Sequence, residues 1–267
     1  MNGYIALDYG DLAVASLLVL ANAALSLRLD LGLERRIMIA AARMVVQLSL
    51  VGLVLKVLFA AVSPLWTGLA ALAMVAFAGQ EIMARQDRRF AGWWGYGLGT
   101  GCMLAAAGLV TVFGLTTQLR PDPWYHPQYA IPLLGMVLGN TMTGISLGLH
   151  TLTGAVVEGR SAIEARLALG ETMGAATLPV VRKALRAAVM PIVNAMGTTG
   201  LVSLPGMMTG QILGGVDPTQ AVRYQILIMF LISGGTAAGA VAAVLGGVRR
   251  LSDSRDRLRL DRLVGKD

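Results

Sequence analysis

The chain has 267 residues, 55% of them hydrophobic and only 14% charged, with a mean hydropathy of +0.67. Soluble domains carry about 25% charged residues, so this composition excludes an ordinary soluble enzyme and places the chain among membrane proteins. The net charge of +7 is spread through short gaps between apolar runs, so nucleic acid is not an expected partner.

A helix needs about 20 apolar residues to cross the hydrocarbon core. Seven runs qualify, at 10–27, 38–62, 65–84, 93–117, 129–152, 187–206 and 219–248. The expected fold is therefore all-α, a polytopic integral membrane protein of about seven transmembrane helices. The transmembrane domain occupies 1–248 and a basic tail 249–267. Met1–Leu27 carries Asp8 and Asp11 and no Lys or Arg, so the first run reads as a retained span rather than a signal peptide. The second carries Arg43 and Gln47, and the third carries Glu81. Both charges are expected to snorkel or to pair with each other. The fourth contains Gly97 and Gly101 in GxxxG spacing, which lets helices approach closely, and Cys102, a lone cysteine that excludes an internal disulfide. The loop RPDPWYHP follows at 120–127, and its Trp124 and Tyr125 suit an interfacial belt.

The fifth run doubles the small-residue spacing, at Gly135–Gly139 and Gly144–Gly148, and is expected at the centre of the bundle. Asn140, Thr143, Ser146 and His150 recur at offsets of three or four, which puts them on one face as a polar stripe. Asn194, Thr198 and Ser203 extend a similar polarity along the sixth run. These residues are the expected translocation path, set against interhelical hydrogen bonding. The stretch SLPGMMTGQILGG (203–215) follows. Pro205 and Gly206 are expected to end the sixth helix, leaving Pro205, Met207, Met208 and Gln211 in a re-entrant gate. A metal site at Met207 and Met208 is not favoured, because no Cys or His lies near. Asp217 caps the seventh helix, with Pro218 at its first position and Gln220 three residues after the cap. The tail alternates Asp and Arg and is expected as a solvated, mixed-charge helix.

The gaps after the first, third, fifth and seventh runs hold 18 of the 22 basic residues. By the positive-inside rule these gaps are cytoplasmic, and the N-terminus lies outside. The expected location is the bacterial inner membrane. The sequence has no GxxxxGK[ST] phosphate loop, no HExxH and no GxSxG. An enzyme is not expected, and this chain offers no ATP site of that kind.

The longest cytoplasmic gap, 153–186, contains RSAIEARLALGETMG. Ser161 and Glu164 have capping-box spacing, so a short helix is expected over 162–169, with Gly170 as its C-terminal cap. Ile163 and Leu167 share a face. Glu164-Ala165-Arg166-x-x-x-Gly170 resembles the EAA-x-x-x-G coupling loop of ABC-transporter permeases, with Arg166 in place of an alanine. PLLGMVLGNTMTGISLGL and GLVSLPGMMTGQILGGVDPTQAVRYQILIMFL resemble the FetB-type permease family, which includes bacterial iron-export permeases and plant aluminium-tolerance transporters. The resemblance implies a homodimeric permease paired with a separate ABC ATP-binding subunit that holds ATP and Mg. It further implies ATPase coupling through Ile163, Glu164, Ala165, Leu167 and Gly170. An ATP-independent transporter or channel is the alternative. Ferrous iron prefers imidazole and carboxylate ligands and methionine sulfur suits copper(I), so the spans do not reveal metal ligands.

Overall fold

The structure is a computed structural model and describes residues 7–265. Its helices are α1 (Tyr9–Arg28), α2 (Glu34–Ala61), α3 (Pro64–Ala84), α4 (Trp94–Phe113), α5 (Pro127–Glu158), α6 (Arg160–Ala168), α7 (Met173–Thr198), α8 (Gly206–Leu213) and α9 (Pro218–Arg250). A π-helical turn, Gly114–Leu119, prolongs α4. Two short strands, β1 (Arg88–Phe90) and β2 (Leu263–Gly265), pair antiparallel.

Local chemistry sets several helix starts. Asp8 caps α1 in a reciprocal box with Asp11. Asp217 accepts hydrogen bonds from the backbone N–H groups of Thr219 and Gln220, and Pro218 opens α9 as expected. These bonds, together with one from the Thr219 hydroxyl, hold the Asp217 carboxyl below the usual range.

Among the described residues, six helices are long and apolar enough to cross a membrane: α1, α2, α3, α4 with its extension, α5 and α9. The sixth expected span is the one that changes. Its helix, α7, begins at Met173 and runs straight through Arg182, Lys183 and Arg186. The reason is amphipathicity: Met173, Ala176, Thr177, Val181, Ala184, Ala188 and Ile192 form a buried stripe at helical spacing, while the basic residues stay exposed. The helix stops at Thr198, so Ser203 lies in a loop and not in a span. Pro205 and Gly206 do not end this helix either. Pro205 is the N-cap of α8, and Met207–Leu213 is helical rather than irregular.

The core is built around α5, which packs against α3, α4, α7 and α9. Its buried residues include Leu133, Val137, Ile145, Leu149, Leu152 and Val156. Gly144 and Gly148 make the approach possible: a Cβ on Gly144 would lie 2.7 Å from Thr236 Cγ2 and 3.2 Å from the Ala188 carbonyl. Gly235 and Gly239 of α9 do the same against Val137 and Thr141. The Gly97–Gly101 spacing does not act as expected. A Cβ on Gly101 would meet nothing within 4 Å, while Gly99, on the opposite face, sits against Ile82. The hairpin of α1 and α2 touches the rest of the bundle only lightly, through α3 and α5. Arg43 and Gln47 are exposed on α2, and Glu81 pairs with Arg85 at 3.3 Å rather than with Arg43.

The tail is not a solvated helix. After α9 it folds back, with Leu251 fully buried and Leu258, Leu260 and Leu263 packed on the core. Asp253 organises the turn by accepting from the N–H groups of Arg255 and Arg257 and from the Arg257 guanidinium. These bonds lower its carboxyl pKa to about 2. Lys266 lies outside the described residues, as does the start of the first expected domain.

Candidate functional site

One end of the bundle gathers the basic gaps, and α6 stands there. No Ser161–Glu164 capping box forms. The helix begins two residues earlier, at Arg160 behind Gly159, and Glu164 instead pairs with Arg160 at 2.8 Å. The C-terminal expectation holds. Gly170 has φ +92°, its N–H donates to the Leu167 carbonyl, and the Glu171 N–H donates to Arg166. Both bonds of a Schellman closure are therefore present. Arg166, the residue that departs from the EAA pattern, fixes the turn: its guanidinium contacts Glu171 at 2.7 Å and donates to the Ala176 carbonyl of α7. The result is a rigid α6–turn–α7 unit.

The faces of α6 differ from the expected docking surface. Ile163 is only 3% exposed and Leu167 is partly buried, both against the chain's own core. They anchor the helix. The outward face presents Glu164, Ala165 and, beyond the helix end, Leu169, which is 85% exposed. Sequence periodicity missed Leu169 because it lies past the last periodic residue.

The folded tail supports this unit. Asp256 accepts a hydrogen bond from the Met173 N–H at 3.2 Å, adding a carboxylate to the start of α7, where Thr172 is the N-cap. On its other side β2 pairs with β1, with Phe90 opposite Leu263, and Thr153 of α5 donates to the Arg88 carbonyl. Arg262 donates to the carbonyls of Arg250 and Ser252, and Arg250 lies over the Trp94 ring at 5.0 Å. The tail thus straps the α3–α4 turn to the α6–α7 turn. A carboxylate at a helix N-terminus contributes about 1 kcal/mol. Asp256→Ala is expected to raise hydrogen exchange at 173–176 several-fold while leaving exchange in α5 unchanged. Exchange at 173–176 equal to wild type would show that the strap does not hold α7.

The polar stripe is only partly assembled. Thr143, Ser146 and His150 line one recess of about 280 Å³ with Arg85 and Asp87. His150 Nδ1 lies 3.9 Å from Asp87 Oδ2, a loop partner that helix periodicity had no means to reveal. Asn140 lies outside this recess, exposed, with its amide donating to the Met136 carbonyl. Asn194, Thr198 and Ser203 stand exposed on α7 and the loop after it. Among the described residues no group of three His, Cys, Asp or Glu side chains converges as a metal site.

At the opposite end, α8 packs on α9 between two cavities. One, of about 420 Å³, is lined by Gln128, Tyr129, Met136, Met207, Gln211 and Tyr224 among others. The other, of about 410 Å³, takes Met208 on the far side of the same helix. The expected gate residues Met207, Met208 and Gln211 thus come together with side chains of α5, α7 and α9.

Comparison with known proteins gives this geometry its setting. The model of the "Uncharacterised protein family (UPF0014)" matches residues 9–252. The chain is 39% identical over 232 residues to a "UPF0014 membrane protein" of Synechocystis, covering 85% of this chain and 87% of the relative. It is 34% identical over 231 residues to "Protein ALUMINUM SENSITIVE 3" of Arabidopsis thaliana, covering 86% and 82%. It is 31% identical over 260 residues to the "Probable iron export permease protein FetB" of Escherichia coli, covering 96% of each. No solved structure matches. The chain belongs to the UPF0014 family of multi-pass membrane permeases.

Proposed function

We propose that this chain is the membrane subunit of an ATP-driven exporter, carrying iron or another metal or metal-linked small solute. The observation that carries the reading is the α6–turn–α7 unit. A short helix, fixed at its C-terminus and clamped to α7 by Arg166, holds Leu169 out from the basic end. Such a unit suits a groove on a second protein, and the name of the Escherichia coli relative supplies the transport context. By the positive-inside rule the basic end faces the cytoplasm. ATP and Mg belong to the separate ATPase subunit, since this sequence has no phosphate loop.

The chain works as a homodimer in this reading. Asn140, Asn194 and Thr198 are exposed on the single chain, and polar side chains inside a membrane face protein or water rather than lipid. A second copy covering them would place the translocation path between the two chains, with α7 moving as α6 is pushed. Purification of the chain with its genomic neighbours is expected to recover an ATPase in equal amount, and export from liposomes to require both proteins and ATP. Full transport by the chain alone would instead establish an ATP-independent transporter.

In this scheme α8 is the outer gate, packed on α9 and moved by it. Cysteines placed singly at 207–213 are expected to react with a membrane-impermeant maleimide at rates that change at least several-fold with the ATP state. Unchanged rates would sink the gate.

A further inference from the structure

The outward face of α7 carries a cluster of unpaired charge. Arg182, Lys183 and Arg186 are all exposed. Among the described residues none of the three makes an ion pair, whereas Arg160, Arg166, Arg257 and Arg259 each have a carboxylate partner. From Thr172 to Val216 the sequence holds no Asp or Glu. Met190 and Val193 continue the same face and are 49% and 47% exposed. At 3.6 residues per turn, all five side chains fall within about 100° of the helix circumference. Asn194 and Thr198, given above to a second copy, lie further round, about 80° and 120° from Arg186.

Packing fixes the depth of the cluster. A Cβ on Gly148 would lie 3.3 Å from Ala188 Cβ and 3.9 Å from the Ala184 carbonyl oxygen, so residues 184–188 of α7 are level with Gly148 of α5. Gly148 is 21 residues from Pro127, where α5 starts. That is about 31 Å along the axis at 1.5 Å per residue, and the hydrocarbon core is about 30 Å thick. Aromatic residues mark both boundaries. Trp124 and Tyr125 precede α5 at one end, and Trp93, 82% exposed, stands with Trp94 at the other. Phe90, just before Trp93 in the chain, meets the Gly247 position together with Leu149 and Leu152 of α5. The cluster therefore lies at the depth of lipid phosphates, with Met190 and Val193 at the depth of acyl chains.

We infer that this face of α7 binds an anionic phospholipid of the leaflet at the basic end. The guanidinium forks of Arg182 and Arg186 match phosphate oxygens, and Lys183 adds an ammonium on a flexible stem. An acyl chain of the same lipid covers Met190 and Val193. A protein partner would have to bring carboxylates to headgroup depth, whereas an anionic lipid carries its charge at that depth already. The face is thus matched in both charge and polarity by one molecule. The inference takes its transport meaning from the proposed function, because α7 joins α6 to α8 and a lipid held there sets the position of both. Lipid retention is measured without ATPase or transport, so either reading can fail alone.

The test uses the full chain in detergent, titrated with dioleoyl phosphatidylglycerol or dioleoyl phosphatidylcholine, with retained lipid counted by native mass spectrometry. Wild type is expected to retain phosphatidylglycerol at least tenfold more tightly. The triple variant Arg182→Gln, Lys183→Gln, Arg186→Gln is expected to lose that preference. A charge-matched control, Arg88→Gln, Arg249→Gln, Arg255→Gln, removes three exposed arginines of the same end that also lack ion pairs, and is expected to keep it. No preference in wild type, equal retention by wild type and the α7 variant, or an equal loss in the control overturns the proposal. A wild-type dimer that the α7 variant splits, with phosphatidylglycerol retention unchanged, also overturns it and gives the face to a second copy. Should the triple variant fold poorly, Arg186→Gln alone decides, on protein of unchanged melting temperature. Retention at least threefold weaker supports the site, and wild-type retention overturns it.

Discussion

Leu169→Asp is expected to cut ATPase-driven transport and ATPase recovery on co-purification about 30-fold, with no loss of folded permease. A central apolar contact at an interface is worth about 2 kcal/mol, and each 1.4 kcal/mol is a factor of ten. Leu169 is chosen because it is 85% exposed; a charge there meets water in the free chain and an apolar groove only in the complex. Leu167 and Ile163, which share a helical face in the sequence, do not give a clean test. Both pack on the chain's own core, so Ile163→Asp buries an unpaired carboxylate and is expected to lower the yield of folded protein instead. Ser161→Asp serves as a control, because Ser161 is exposed and forms no capping bond. Wild-type ATPase affinity in Leu169→Asp, measured on protein of unchanged melting temperature, would remove α6 from the docking surface.

Gly144→Leu is expected to have the largest effect on folding. At this position even a methyl would sit 2.7 Å from Thr236 Cγ2 and 3.2 Å from the backbone carbonyl of Ala188. The threonine can shift, but the α7 backbone can do so only by moving the helix. Overpacking of this kind costs about 1–3 kcal/mol for a small addition, and leucine adds three more heavy atoms. Loss of most monodisperse protein in a detergent melting assay is expected. Gly139→Leu supplies the comparison: it belongs to the neighbouring GxxxG pair, yet a Cβ there meets nothing within 4 Å. It is expected to behave as wild type in the same assay. Gly144→Ala with Thr236→Ala should recover part of the loss, since the remaining contact is with the Ala188 carbonyl alone. A Gly144→Leu protein that melts like wild type would show that α5 and α7 are not in the register described.

Much of the fold was legible because lipid simplifies the code. Apolar runs mark helices, and the Gly144–Gly148 pair marks a close contact. Asp217–Pro218 and Gly170 were readable as caps because each satisfies orphan backbone groups by local chemistry. The errors fall where a long-range partner overrides a local signal. Arg182, Lys183 and Arg186 look like a cytoplasmic gap before a span, but tertiary packing of the opposite face carries α7 through them. The Asp/Arg alternation of the tail looks like a solvated helix, but Asp253 draws the arginine N–H groups into a turn. The candidate sites were less legible still. Asp87 beside His150 and Leu169 past the helix end are placed by the fold only. No periodicity within one element contains them.

The pairing of β1 with β2 also sets an order of assembly. Phe90 emerges from the ribosome soon after the third helix, and its partner Leu263 follows 173 residues later. At 5–20 residues per second, the delay is on the order of ten to thirty seconds. During it every span can insert and pack, while the α3–α4 turn waits open and Phe90 has no partner strand. Closure of the strap therefore follows synthesis of all the spans. A stalled or clipped chain would carry an inserted bundle with α7 unsupported at Met173, distinguishable from the finished permease by a single unpaired strand edge at the membrane surface.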